Sequence, residues 1–227
     1  MEKKIVKKKI AGLMITILLT YVSGTTYCEN EKSKQVIDRI QANNDKIQDI
    51  KATITINTVE TKERRHTEKT VRYGMKYPDK SKIEIVSKSE NNKLRNKRGN
   101  ANRANIFVWP VAREIFGFKN YMSGSVVKEI SYNDNGYLIS VIPTMSKGEY
   151  PKTEFYVDSL DRITKVVKHG PTGQEIYAVE VLEYNKIKDI WFPVKVRETT
   201  KAIYNTIIKE FVFVNTEINT GIQDEEL

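Results

Sequence analysis

The sequence predicts a protein of the α+β class that is mainly β, with an N-terminal helix, a strongly curved antiparallel sheet and helical cover over that sheet. Three observations predict it. Apolar residues first recur with a helical period, they then alternate with polar residues in short segments, and turn residues separate these segments along the rest of the chain.

The helical period occupies residues 31–50. Its apolar residues are Val36, Ile37, Ile40, Ile47 and Ile50, with Lys, Gln, Asp and Asn between them. Spacings of three and four place these side chains on one face, which predicts one amphipathic helix. Asn43 and Asn44 weaken its middle because their side chains compete for backbone hydrogen bonds.

Segments of period two follow the helix. Residues 52–56 and 71–75 alternate apolar and polar side chains, which predicts an antiparallel hairpin, and residues 83–85 belong to the next strand. Further strands are predicted at residues 137–142, 155–157, 163–167, 176–182, 191–196 and 207–214. Turn residues at 134–136, 158–161 and 169–173 separate them, as in an antiparallel meander of nine or more strands.

An aromatic segment interrupts the strand pattern at residues 106–121. It includes Trp109, Phe116, Phe118 and Tyr121 beside a proline and a glycine. Such a density of large apolar side chains must be covered, so we expect either a short helix packed on the sheet or a lid across a cavity.

A polar segment rich in Asn, Lys and Arg precedes it at residues 88–103. It has too few apolar side chains to order itself by burial, which predicts a mobile loop. Two interpretations remain open: an ordinary solvated loop, or a docking patch for an anionic membrane surface or partner formed by Lys93, Arg95, Lys97 and Arg98.

Residues 1–28 are predicted to be a signal peptide. Five lysines precede an apolar run over residues 10–22, which ends among small residues. The alternative is a transmembrane anchor, but the run is shorter than the roughly 20 apolar residues that a bilayer core requires. We therefore predict export, with residues 29–227 as a single periplasmic or otherwise extracytoplasmic domain.

The only cysteine, Cys28, stands where a lipoprotein carries its acylated cysteine. Lipidation there would tether the protein to a membrane. Tyr27 occupies the position at which a lipoprotein signal has a small residue, and this favours cleavage by the ordinary signal peptidase instead. Residues 29–227 contain no cysteine, so no disulfide can form within them.

The charge balance argues against nucleic acid as a partner. The whole chain carries a net charge of +9, but without residues 1–28 it has 33 basic and 28 acidic residues, a net charge of +5. The remaining charge is dispersed, and export separates the protein from nucleic acid. We expect a monomer with one core.

No catalytic or metal site is recognised in the sequence. His66 and His169 have no partner at a metal-ligand spacing, and Ser123 lacks the glycine-flanked turn of hydrolases. Asp158 and Asp161 bracket a predicted turn, which explains both carboxylates through hydrogen bonds to the backbone. The sequence thus predicts a binding protein without a cofactor rather than an enzyme.

The order of these elements resembles the LolA-like family of periplasmic lipoprotein carriers and outer-membrane lipoprotein-sorting proteins. The resemblance covers most of residues 29–227. It rests on the starting helix, on residues 74–80 (GMKYPDK), 155–158 (FYVD) and 191–195 (WFPVK), and on the ending 214–222 (VNTEINTGI).

This resemblance implies an incomplete barrel whose concave face is closed by helices and binds acyl chains in an apolar cavity. It implies that Trp109, Phe116, Phe118 and Tyr121 are lid or cavity residues, and that the ligand is a lipid acyl chain or a lipoprotein. One position departs from the family: the best-known carriers have an arginine before the proline that matches Pro78, where this chain has Tyr77. A tyrosine closes a lid by an uncharged hydrogen bond, which is weaker than that of an arginine.

Two functions are therefore retained from the sequence. The preferred one is an acyl-chain or lipoprotein carrier. The alternative is an envelope sensor or scaffold that binds a protein partner through the same fold, tethered through Cys28. A hydrolase is not favoured because no nucleophile and base are recognised.

Overall fold

The computed structural model describes residues 31–76, 80–90, 93–95, 99–100, 112–144 and 151–227. Twelve strands are found among these residues. They are β1 Asp49–Glu60, β2 Arg65–Lys76, β3 Lys80–Glu90, β4 Lys93–Arg95, β5 Gly99–Asn100, β6 Ser125–Asn133, β7 Gly136–Pro143, β8 Lys152–Asp158, β9 Ile163–His169, β10 Glu175–Ile187, β11 Ile190–Ala202 and β12 Asn205–Ile218.

All twelve strands belong to one antiparallel sheet. Its order is β4-β3-β2-β1-β12-β11-β10-β9-β8-β7-β6, and β5 pairs with β3 beside β4. The first and last of these described strands, β1 and β12, pair along most of their length, so the meander returns to its start. Within the described residues, the edge strands β4 and β6 do not pair with each other, so the sheet is not closed. The predicted fold class, a mainly β incomplete barrel, is confirmed.

Alternation along each strand divides the sheet into a packed face and a solvated face. In β1, Ile54 and Ile56 are almost wholly buried, and the alternating threonines, Thr53 and Thr55, are partly exposed. Ile54 stands opposite Val71 on one side and Phe213 on the other, so neighbouring strands present apolar side chains to the same core. The predicted hairpin of residues 52–56 and 71–75 is confirmed, as are all the later predicted strands.

Helix α1, Glu31–Asn44, covers the packed face through Val36 and Ile40. The prediction that it continues to residue 50 is wrong. The chain turns after Asn44, whose side-chain amide donates to the carbonyl oxygen of Ile115 at 2.8 Å, and β1 has already begun at Asp49.

One other prediction requires correction, and one strand was not predicted. The segment at residues 88–103 is not a loop throughout, because β3 continues to Glu90 and the backbones of β4 and β5 pair with it. Backbone pairing at a sheet edge needs no apolar side chains, which is why composition did not reveal it. Strand β6 was not predicted, and the structure pairs it with β7 from Ser125 to Asn133.

The described part of the aromatic segment, from Ala112 onward, folds as two short helical elements. A π-helical turn, Ala112–Phe116, leads through Gly117 to helix α2, Phe118–Ser123. A 3₁₀ turn, Asp224–Glu226, lies near the C-terminus. Residues 36–227 form one compact unit. Among the described residues, no helix has both the length and the apolar character to cross a membrane.

Asp49, at the start of β1, fixes the C-terminal segment. Its buried carboxylate accepts hydrogen bonds from the backbone N–H groups of Thr220 and Gly221, each at 2.9 Å. Burial opposes ionisation, but these hydrogen bonds outweigh it, and the pKa of Asp49 lies below its usual value. The carboxylate therefore remains charged and holds the end of the chain beside β1.

Candidate ligand-binding face

The concave face of the sheet is an apolar surface that spans most of its strands. Its buried members are Ile50, Ala52, Ile54, Ile56, Val71, Tyr73, Met75, Ile83, Ile139, Val141, Phe155, Val157, Ile163, Val166, Tyr177, Val179, Phe192, Val196, Phe211, Phe213 and Ile218. Side chains from the helical elements complete this core, namely Val36, Ile40, Ile115, Phe116 and Phe118, together with Ile47 from the segment that joins α1 to β1. These side chains form one continuous buried core.

Aromatic contacts join the segment Ala112–Ser123, which we call the cover, to the sheet. Phe116 stacks on Phe192 with ring centroids 5.6 Å apart, and Phe118 meets Phe155 edge to face at 5.1 Å. Tyr121 also contacts Phe155, at 5.3 Å. These three residues of the predicted site are brought together on the concave face, where Phe118 is wholly buried and Tyr121 is partly exposed. Their aromatic contacts close this part of the interior.

A buried ion pair lies beside the aromatic contacts, and sequence reasoning missed it. Lys168 Nζ is 2.7 Å from Glu114 Oε1, with both side chains almost excluded from solvent. The same ammonium group lies 5.4 Å from the ring centroid of Tyr121 and 5.3 Å from that of Tyr177. Tyr121 and Thr153 also share a hydrogen bond of 2.6 Å between their hydroxyls. The π-helical turn and α2 are therefore held to β8 and β9 by polar as well as apolar contacts.

Further along the concave face, towards the end of β1, the lining becomes polar and basic. Lys69 stands opposite Lys88 in the pairing of β2 with β3, and Lys209 pairs with Glu198 at 2.9 Å. Burial, together with the positive charges of Lys88, Lys209 and Arg65, lowers the pKa of Lys69. Along the concave face, the side chains thus change from aromatic beside the cover to cationic near the end of β1.

A second cluster closes the opposite end. The Arg162 guanidinium forms an ion pair with Asp158 and lies over the rings of Tyr184 and Trp191, at 4.8 and 4.5 Å from their centroids. Burial raises the pKa of the Tyr184 hydroxyl, which donates to a backbone carbonyl. The cleft beside this cluster has a volume of about 40 Å³, which suits water molecules rather than an acyl chain.

The predicted turn at residues 158–161 is confirmed; the expected side-chain hydrogen bonds to the backbone form at Asp158, whereas the same prediction for Asp161 is wrong. The Asp158 carboxylate accepts from the backbone N–H groups of Leu160 and Arg162 at 3.0 Å. Asp161 instead pairs with Arg39 of helix α1, Nε to Oδ2 at 3.0 Å. The two carboxylates therefore serve structure, and Arg39 fastens α1 to this end of the sheet.

His169 has a partner that its sequence position did not reveal. Its Nε2 lies 2.9 Å from Glu154 Oε2, and its Nδ1 lies 3.0 Å from the carbonyl oxygen of Gly173. Burial opposes ionisation of Glu154, but hydrogen bonds from Lys152 and His169 outweigh it and lower the pKa of this carboxyl. Neighbouring strands bring Glu154 and His169 together, although fifteen positions separate them in the chain.

Several predicted positions lie outside the described residues, namely Cys28, Tyr77, Trp109, Lys97 and Arg98. The predicted signal peptide, residues 1–28, also lies outside them. For Lys93 and Arg95 the structure describes the backbone, in β4, but not the side chains. In the described part of the chain, no group of three or more His, Cys, Asp or Glu side chains is placed to hold a metal ion.

Two comparisons find nothing similar in sequence: no family model matches the chain, and no curated protein matches it. Solved structures do match. A DUF1329 family protein from Desulfovibrio piger is 12% identical with a TM-score of 0.57, over 84% of this chain and 95% of the other. A LolA superfamily protein from Nitrosomonas europaea is 9% identical with a TM-score of 0.57, over 85% and 95%.

A third structure is a domain from Vibrio parahaemolyticus that is described as belonging to an outer membrane lipoprotein-sorting protein. It is 13% identical to this chain with a TM-score of 0.53, over 86% of this chain and 96% of the domain. At sequence identities this low, the matches show similarity of fold alone. The similar region extends over nearly the whole of each of these three chains. The resemblance inferred from the sequence is thus confirmed at the level of the fold: this chain has the fold of the LolA superfamily proteins.

Proposed function

We propose that this protein is an exported envelope protein that binds acyl chains of a lipid or lipoprotein between its concave face and the segment Ala112–Ser123. The observation that carries the proposal is the aromatic contact of Phe116, Phe118 and Tyr121 with the sheet. If this segment moved away, a continuous apolar surface would become available on the face that the segment now covers.

The energetics of such an exchange favour a long acyl chain. Each methylene group transferred from water contributes about 0.8 kcal/mol, so about ten of them supply roughly 8 kcal/mol before any cost of moving the cover. A binding free energy of this size would correspond to micromolar affinity, and the cost of moving the cover reduces it. Short chains cannot offset the loss of the aromatic contacts, whereas long chains can.

The basic lining at Lys69 and Lys88 suits the other end of such a ligand. A carboxylate or phosphate at the head of an acyl chain is attracted by a partly buried cationic surface, where screening by water is reduced. The grading from aromatic to cationic side chains therefore fits an amphiphile with an anionic head.

A chain-length series tests the proposal. Fluorescent displacement is measured with saturated fatty acids of increasing length, and each added methylene is expected to lower the dissociation constant by up to about fourfold until the cavity is filled. A scaffold that recognises a folded protein partner would show no such dependence. If protein that is folded by circular dichroism binds no fatty acid of any length, the proposal is wrong.

A conservative variant tests the role of the cover. Tyr121→Phe removes the hydroxyl that bonds Thr153 but keeps the ring on Phe155, so the cover should open more readily and uptake should be faster. Tyr132→Phe is the matched control, since Tyr132 is 57% exposed on β6. Equal uptake rates in the two variants would show that α2 does not gate the ligand.

Export belongs to the same proposal. Cell fractionation is expected to place the protein outside the cytoplasm, with an N-terminus generated by cleavage near residue 28. Labelling with a radioactive fatty acid, compared between the parent and Cys28→Ala, decides whether the chain is tethered. Recovery of an uncleaved chain from the cytoplasm would contradict the proposed location.

A further inference from the structure

The turn between β11 and β12 departs from the chemistry of the other two-residue hairpin turns that the structure describes. Its two central residues, Ile203 and Tyr204, are 89% and 81% exposed, more than any other large hydrophobic residue described. Two-residue hairpin turns favour Asn, Asp and Gly. The β6–β7 turn, for example, has Asp134 and Asn135. Neither packing nor turn geometry calls for an isoleucine and a tyrosine at this tip.

A neighbouring tip supplies charge next to these apolar side chains. The β1–β2 turn and the first residues of β2, Thr61–His66, contain three cationic residues, Lys62, Arg64 and Arg65, and one carboxylate. All six of these residues are exposed. Arg65 forms ion pairs with Glu60 and Glu63, at 3.3 and 3.6 Å, so Lys62 and Arg64 provide the positive charge of this projection at the same end of the sheet.

Hydrogen bonds hold the two tips side by side. The Thr61 N–H donates to the carbonyl oxygen of Thr206 at 3.1 Å, and the Lys62 N–H donates to Asn205 Oδ1 at 3.0 Å. The Thr206 N–H donates in return to Thr61 Oγ1 at 3.0 Å. The apolar pair and the cationic turn thus form one fixed surface, which we call the paired tips: Thr61–His66 with Ile203 and Tyr204.

We propose that the paired tips dock this protein on an anionic lipid surface, with Ile203 and Tyr204 entering the interfacial layer and Lys62 and Arg64 contacting headgroup phosphates. Tyrosine suits this layer because its ring is apolar and its hydroxyl is polar. Basic residues near an anionic leaflet add attraction that decays over about a Debye length. The paired tips lie at one end of the sheet rather than on its concave face, so this proposal does not depend on acyl-chain binding to that face.

The shape of the tips favours a lipid surface over a protein partner. A stable protein interface buries about 800 Å² on each side around a well-packed centre. Two side chains that project from a narrow turn do not supply such an area. A fluid interface, by contrast, accepts projecting side chains and needs no complementary pocket.

Site-specific labelling tests the proposal. In a Cys28→Ala background, Tyr204→Cys is labelled with an environment-sensitive fluorophore and mixed with vesicles of phosphatidylglycerol and phosphatidylcholine. The expected result is a blue-shifted, brighter emission that is lost at high salt and with phosphatidylcholine alone. The matched control is Leu160→Cys, because Leu160 is 51% exposed on the β8–β9 turn at the opposite end of the strands. Both proteins share one N-terminal segment, so a difference between the labels reports the tips.

A second measurement separates the apolar and cationic contributions. Ile203→Ser/Tyr204→Ser and, separately, Lys62→Gln/Arg64→Gln are each expected to raise the lipid concentration for half-maximal sedimentation by about tenfold, which corresponds to 1.4 kcal/mol. Leu160→Ser should leave it unchanged. Equal emission changes at positions 204 and 160, or unchanged sedimentation of both double variants, would overturn the proposal. Protection of the tips by a protein rather than by vesicles would overturn it in favour of a protein partner.

Discussion

Replacing Lys168 with methionine should destabilise the protein far more than removing an exposed lysine. Methionine retains the length and apolar stem of the side chain but removes the ammonium group 2.7 Å from Glu114 Oε1. Glu114 is wholly buried, so its carboxylate would lose its cationic partner in a poorly solvated site. Removing one member of a buried ion pair costs about 3–5 kcal/mol.

The cost is measurable by equilibrium unfolding in urea. For a domain of this size it corresponds to a decrease in Tm of roughly 10 °C. Lys128→Met is the matched control, because Lys128 is exposed on β6 and its loss should change the free energy of unfolding by less than about 0.5 kcal/mol. Glu114→Gln/Lys168→Met, which removes both charges, should recover much of the lost stability. If Lys168→Met and Lys128→Met unfold at the same urea concentration, the ion pair does not hold the cover to the sheet.

Three further predictions concern other contacts. Gly136→Ala should lower the free energy of unfolding more than Gly173→Ala. A Cβ at Gly136, φ +144°, would lie 1.9 Å from the Val157 carbonyl oxygen. No atom lies within 4 Å of a Cβ at Gly173, φ +84°, where backbone strain alone costs about 1–2 kcal/mol, and urea unfolding of both variants checks this order. Asp49→Ala should remove stabilisation that is present above about pH 4 and is lost as the pH falls through the lowered pKa, so the variant's unfolding free energy should vary less between pH 6 and pH 3 than the parent's. Phe118→Ala should cost about 3–5 kcal/mol in thermal or urea unfolding, because its wholly buried ring contacts Phe155.

Much of the fold was predictable because burial alternates regularly along most strands. In β1 the apolar side chains of Ile50, Ala52, Ile54 and Ile56 follow period two and face one core, and this pattern is visible in the sequence. Strand β6 was missed because its pairing with β7 shifts register between Val127 and Glu129. Such an irregularity breaks the alternation on which a sequence-based prediction depends.

The helix was extended too far for a related reason. Ile47 and Ile50 continue the spacing of Val36 and Ile40, and all four side chains are buried. Ile50, however, is buried as a strand residue opposite Met75 and Ile218. An apolar residue at a helical interval predicts burial correctly but does not distinguish a helix from the strand that follows it.

The site was only partly predictable. Phe116, Phe118 and Tyr121 stood out as a local concentration of aromatic side chains, and the structure places them on the concave face. The partners Glu114 and Lys168 are 54 positions apart, and no local pattern connects them. Packing of the π-helical turn against β9 brings them together, and the pairing of β8 with β9 brings together Glu154 and His169, so these contacts required the structure.

The central claim, that the concave face binds acyl chains, is tested most directly by the lipids that the protein retains. Protein purified after export, without added detergent, is examined by native mass spectrometry and by extraction of bound lipid. We expect a stoichiometric, long-chain acyl ligand that is displaced by added fatty acid. Folded protein that carries no lipid, and that acquires none when incubated with long-chain fatty acids or lipoprotein, would contradict the claim.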